Sequence, residues 1–288
     1  MGLISPFTVR SRKILQRLWQ EELKWDDPIP ERHDARWRQW LTELFTESNL
    51  INIPRCLNFG KGKTISLHVF VDASTEVYAT TVFVRVAKVV DSRGVKELEA
   101  EEVDVESHLV TSKARVAPIK AETVSRLELD SAVIGLRLGH AVALAYQIDP
   151  KEIYYWTDST NVLYWINTPA NQLKTFVSNR VGEIQSDSDA KQWRHVPTDQ
   201  NPADVATRDI SLADLAKSHL WWTGPEWLKL GKSFWPAEFT SSKSNDEVKN
   251  EFKKLFSDHA FVHSMNSSEN SKLEIHDILN PLNFSVGS

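Results

Sequence analysis

Apolar residues recur at helical spacing from residue 5 to 25, where Ile14, Leu15, Leu18 and Trp19 would share one face. Ser5 is placed to cap this helix and Pro6 suits its first turn. "WDDPIP" breaks the pattern. A second helix is expected over 31–48, with Trp37, Leu41, Leu44 and Phe45 on its apolar side. From 64 to 112 the texture changes. "TISLHVFVDAS", "VYATTVFVRVAKVV" and "ESHLVTSKARV" are rich in Val, Thr, Phe and Ile, and read as three strands of an antiparallel meander, with a turn at "DSRG". A long helix at about 121–147 follows. Then come a strand at 152–157, a helix from about 160, a helix at 174–187, a strand at 192–196 and a helix from about 202. This order, β-β-β-α-β-α-α-β-α, predicts an α/β (α+β) fold with a mixed sheet covered by helices.

Composition changes this picture in three places. The chain has 288 residues, enough for one or two domains with a sizeable core. Its 11 Trp fall in groups at 19–40, 156–193 and 221–235, which suggests three packed regions. "LWWTGPEWLKLGKSFWP" reads as a compact Trp-rich extension at 213–238. Beyond it, 239–288 turns Ser-, Asn- and Lys-rich and reads as a flexible tail or linker, with one short helix around 246–257. The net charge of −5 argues mildly against indiscriminate nucleic-acid binding but allows a local basic patch. Cys56 is the only cysteine, so a reducing intracellular setting fits, with cytoplasm and nucleus not distinguished. No apolar run approaches the ~20 residues that span a membrane. His259 and His263, in "HAFVH", have metal-like spacing but lack the Glu of a zinc-protease helix.

Four carboxylates stand out. Asp72 and Asp158 each end an apolar strand and precede small hydroxyl residues. Asp72 alone reads as a turn residue, and Asp158 or Ser159 as a helix cap. Glu128 fits a capping box with Ser125, supported by a Val124–Leu129 staple. It also lies on one helical face with Ala132, Gly135 and Gly139, small residues that would let the helix approach a sheet closely. Asp204 follows Pro202 at a helix N-terminus, where a carboxylate is favoured anyway. Each has a structural explanation, but together they suggest a site. Four converging acids repel unless cations neutralise them, and an all-oxygen cluster suits Mg²⁺ or Mn²⁺. Two such ions ~4 Å apart can drive phosphodiester hydrolysis.

"VFVDAS", "SRLELDSAVIGL", "YYWTDSTNVLYWI" and "NPADVATR" resemble, in order, the four acidic motifs of the RNase H fold. The similarity is greatest to the Pol polyproteins of Pao/BEL retrotransposons, with "KARVAPIKAETVSRLEL" and "WWTGPEWL" also in place, and spans roughly residues 2–237. The resemblance implies a five-stranded mixed sheet with helices on both faces, an RNase H-like domain at 61–212, and a 1–60 segment like the reverse transcriptase–RNase H connection. It further implies two Mg²⁺ (or Mn²⁺) ions held by Asp72, Glu128, Asp158 and Asp204, an RNA/DNA hybrid as substrate, and reverse transcriptase and integrase regions of a parent Pol as partners. Neither a polymerase signature nor an integrase core is present, so the chain looks like a piece of Pol. The loop before Asp204, "PTDQNP", lacks the His that many RNases H carry there; His195 lies earlier, in the strand.

The family has also been labelled a peptidase. Retroviral-type aspartic peptidases need Asp-Ser/Thr-Gly, and "DAS" and "DST" both lack the Gly. A non-catalytic, co-opted interaction module is the remaining alternative. For a hybrid, the best basic run is Lys113, Arg115, Lys120 and Arg126, which leads directly to Glu128.

Overall fold

The computed structural model describes residues 2–53, 57, 59–60, 63–90, 101–239 and 246–254. Helices α1 (Ser5–Gln20) and α2 (Glu31–Glu47) precede strands β1 (Lys63–Ala73), β2 (Val77–Val90) and β3 (Glu101–Val116). Then come α3 (Val124–Tyr146), β4 (Ile153–Thr157), α4 (Thr160–Ile166), α5 (Thr175–Asp187), β5 (Trp193–His195) and α6 (Pro202–Thr207). Short helices α7 (Leu212–Lys217), α8 (His219–Thr223) and α9 (Asp246–Asn250) complete the order. The sheet runs β3-β2-β1-β4-β5, antiparallel through β1, β2 and β3 and parallel through β1, β4 and β5. This is the mixed five-stranded sheet that the strand pattern predicts. The turn at 91–94, Cys56, and His259 with His263 lie outside the described residues.

Strand β1 is apolar on both faces because both are covered. Leu67, Val69 and Val71 point into a core shared with α3, α4 and α5. Phe70 points into a second core shared with Phe7, Trp40, Trp156, Trp221 and Trp227. Helix α3 approaches the sheet through glycine. A Cβ on Gly135 would stand 2.6 Å from Val71 Cγ1, and one on Gly139 would stand 3.0 Å from Val69 Cγ2. The small-residue face thus packs as its spacing implies.

Several local expectations are corrected. Thr123, not Ser125, caps α3, its side chain accepting from Arg126 N; Val124 is 38% exposed, so no Val124–Leu129 staple anchors this end. Ser5 does not cap α1, whose N-cap is Ile4; its hydroxyl instead pairs with that of Ser112 at 2.5 Å. Helix α1 buries Phe7, Val9, Lys13 and Ile14 while Leu15 and Trp19 are exposed. Helix α2 buries His33 and Trp40, leaving Trp37 and Phe45 largely outside. The first Trp group therefore forms no core of its own. Trp40 joins the second sheet core, stacking on Phe7 at 5.2 Å between ring centroids. Within the segment expected as a flexible tail, residues 246–254 are packed: Val248 and Phe252 are buried in the first core.

Candidate functional site

The parallel pairing Val71↔Thr157 brings Asp72 and Asp158 to neighbouring positions at the C-terminal ends of β1 and β4. Adjacent strands lie ~4.8 Å apart, so their carboxylates are close neighbours. Asp72 is buried, on the face covered by α6, and accepts a hydrogen bond from Thr207 Oγ1 at 2.8 Å. Asp158 is not the cap of α4. Ser159 is, accepting from Val162 N at 3.3 Å, which leaves the Asp158 side chain beside Asp72.

Asn201 joins these parts. Its Oδ1 accepts from Ala203 N at 3.1 Å and so caps α6. Its Nδ2 donates to Val71 O at 3.0 Å and to Asp158 Oδ1 at 3.3 Å. One fully buried amide therefore holds α6 against β1 and orients Asp158. Helix α6 carries Asp204 in its first turn and Thr207 in its last. Asp204 forms a two-point pair with Arg208, at 2.5 and 3.1 Å. Glu128 enters from the opposite face of the sheet, one turn into α3, and is hydrogen-bonded by the Ser159 hydroxyl.

The charges act on one another. Asp72 is pushed up to about 6, first by burial and then by the Asp158 charge, with Asp204 adding and the Thr207 bond opposing. Glu128 is pushed up to about 7 by burial, against the Ser159 bond, with Asp158, Asp72 and Glu247 adding repulsion. All four sequence-selected carboxylates thus share one electrostatic neighbourhood. As they stand, no three His, Cys, Asp or Glu side chains among the described residues are placed to hold an ion. The donor chemistry fits a hard divalent cation, since every side chain offered is a carboxylate, and two of them are raised by burial and by their acidic neighbours.

The basic run is only partly assembled. Lys113 and Arg115 are exposed on β3, and Lys120 is exposed beyond it. Arg126 is already engaged by Glu122 at 3.1 Å and Glu251 at 2.9 Å. Asn201 and Thr207 position Asp158 and Asp72 but escape sequence reasoning. "NPAD" signals a cap at Asn201; nothing local signals its bond to Val71, 130 positions away.

Among the described residues no helix is long and apolar enough to cross a membrane. No curated protein and no solved structure matches the chain. A family model described as the Pao retrotransposon-like RNaseH-like domain matches residues 1–159, more than half of the 288. The matched stretch includes Asp72, Glu128 and Asp158 and ends before Asp204, and its description is RNase H-like rather than peptidase. With a mixed five-stranded sheet and three of its four clustered acids inside that stretch, the chain belongs to the Pao retrotransposon-like RNaseH-like domain family.

Proposed function

We propose that the chain is a metal-dependent endoribonuclease that hydrolyses the RNA strand of RNA/DNA hybrids. The observation that supports this reading is the electrostatic coupling of Asp72, Glu128, Asp158 and Asp204 near the C-terminal ends of β1 and β4, with Asp72 and Glu128 both raised above the usual carboxylate range. Asp72, Glu128, Asp158 and Asp204 would together hold two Mg²⁺ (or Mn²⁺) ions. When bound, the ions supply activation of a water and stabilisation of the leaving oxygen. The protein's own work is to hold oxygens in place. Thr207 fixes Asp72 and Asn201 fixes Asp158. Asp204 must exchange Arg208 for the ion, which asks only an exposed arginine to move. No side chain serves as nucleophile.

The test is cleavage of a labelled hybrid by the purified chain in Mg²⁺, with Asp158→Asn alongside. The native chain should cut the RNA strand and Asp158→Asn should fall to background. Cleavage retained by Asp158→Asn would remove this site from the reaction. A second reading, a non-catalytic nucleic-acid-binding module, is favoured by the Asp204–Arg208 pair, in which one of the four carboxylates is already engaged by a cation of the chain itself. Hybrid binding without cleavage by the native chain would select it.

A further inference from the structure

Residues 246–254 return to the domain beside Glu128. Glu247 Oε2 accepts from Ser125 Oγ at 2.6 Å and from Asn161 Nδ2 at 3.0 Å. Glu251 Oε1 accepts from the Arg126 guanidinium at 2.9 Å. A hydroxyl, an amide and a guanidinium at the start of α3 and α4 thus all face carboxylates of this segment. These are donor types that grip nucleic-acid phosphates.

The attachment is definite but light. Val248 and Phe252 are buried, and Phe252 bridges Leu173. Lys174 N donates to Glu251 O at 2.7 Å and Lys253 N to Gln172 O at 2.9 Å. Against this, Glu251 Oε2 is buried with no partner, a cost to the docked state. Helix α9 has five residues, too few to persist without tertiary support. A segment held this way opens more readily than the core.

We propose that residues 246–254 are a displaceable acidic strap whose Glu247 and Glu251 occupy, as phosphate mimics, a nucleic-acid backbone contact formed by Ser125, Arg126 and Asn161. It rests on the reading of the adjacent carboxylates as a nucleic-acid-cleaving site and adds a regulator to it. In the free chain the strap shares Arg126 with Glu122, which stays in place when the strap leaves, and excludes a backbone from the approach to Glu128. A polyanion of higher charge density displaces it, and Val248 and Phe252 leave their pockets.

Two measurements test this on the full chain, with an RNA/DNA hybrid as probe and EDTA present to prevent cleavage. The first is affinity. Glu247→Gln/Glu251→Gln should bind the hybrid about tenfold more tightly than the native chain, since a strap closed nine-tenths of the time lowers apparent affinity by that factor. The second is amide exchange in the native chain. Lys174 and Lys253 should be protected when free and lose protection on saturation with hybrid. Tight native binding with unchanged protection and no gain in the double variant overturns the strap alone. No binding by either form overturns the nucleic-acid reading and the strap with it.

Discussion

Asp72 follows the apolar run Val69–Phe70–Val71 near the end of β1, and with Glu128 it is the place where burial and like charge act together. Both carboxyls are raised, to about 6 and about 7, so the folded chain binds protons that the unfolded chain releases. The sign follows from linkage: where the native state holds more protons, stability falls as pH rises. The window runs from the ordinary carboxylate range near 4 up to about 7, and each group contributes on the order of 3 kcal/mol, less where the acids titrate as a coupled set. In EDTA, Glu128→Gln should therefore be more stable than the native chain above pH 7 and show no advantage near pH 4. Mg²⁺ should raise the native midpoint above pH 7 and have little effect near pH 4. Denaturant midpoints across that range measure both. A variant advantage that is independent of pH would mean the charge at Glu128 carries no such cost.

At the scale of elements, α3 reaches the site only because glycine lets it lie close to β1. The Gly135→Ala Cβ would meet Val71 Cγ1 at 2.6 Å, and a valine in a packed strand has a stiff side chain with little room to yield. Alanine improves helix propensity by about 1 kcal/mol, yet overpacking costs typically 1–3 kcal/mol, so the clash should win. Gly135→Ala should lower the unfolding midpoint and, by lifting the helix that carries Glu128, reduce hybrid cleavage. Gly139→Ala, at 3.0 Å from Val69 Cγ2, should do less of both. An unchanged midpoint in Gly135→Ala would show that the sheet yields at this point. This contact was legible in the sequence, because intervals of 4, 3 and 4 put small residues and Glu128 on one face. Strand-ending Asp72 and Asp158 were legible for a similar reason: a charge after an apolar run marks the edge of a core. The caps were not. Ser125 and Thr123 both offer a hydroxyl, and Ser125 is drawn to Glu247, 122 positions away. Likewise the exposed faces of α1 and α2 follow their tertiary partners rather than periodicity. Lys13 is buried because Glu76 and Asp209 meet it at 2.5 and 3.0 Å.

Across the whole molecule, the sequence suggests a helical segment at 1–60 and a Trp-rich extension at 213–238 beside an RNase H-like body, and residues of both segments join the core on one face of the sheet. Phe7, Val9 and Trp40 share that core with Phe70, Trp156, Trp221 and Trp227. Backbone atoms are tied across it as well. Arg12 donates to Ala114 O at 2.6 Å, Trp221 to Leu3 O at 2.9 Å, and buried Arg85 to Leu228 O and Leu230 O at 2.9 and 2.8 Å. Removing residues 2–20 would expose the partners of Phe7, Val9 and Ile14, whose burial contributes about 1.5–3 kcal/mol apiece. Domains of this kind are stable by only about 5–15 kcal/mol, so the loss is comparable with the whole. The shortened chain should lose cooperative thermal unfolding, or keep it with a midpoint lower by more than about 10 °C, since a few kcal/mol shifts a chain of this size by that much. Glu128 and Asp72 would suffer with it, because β3 and β2 lie between α1 and the carboxylates and lose their cover on that face. A shortened chain with a native-like midpoint and sharp unfolding would instead make the RNase H-like body autonomous and restore a boundary near residue 61. Calorimetry on the two chains side by side decides between these outcomes, and a single transition in the full chain is the result that two cores sharing one sheet require.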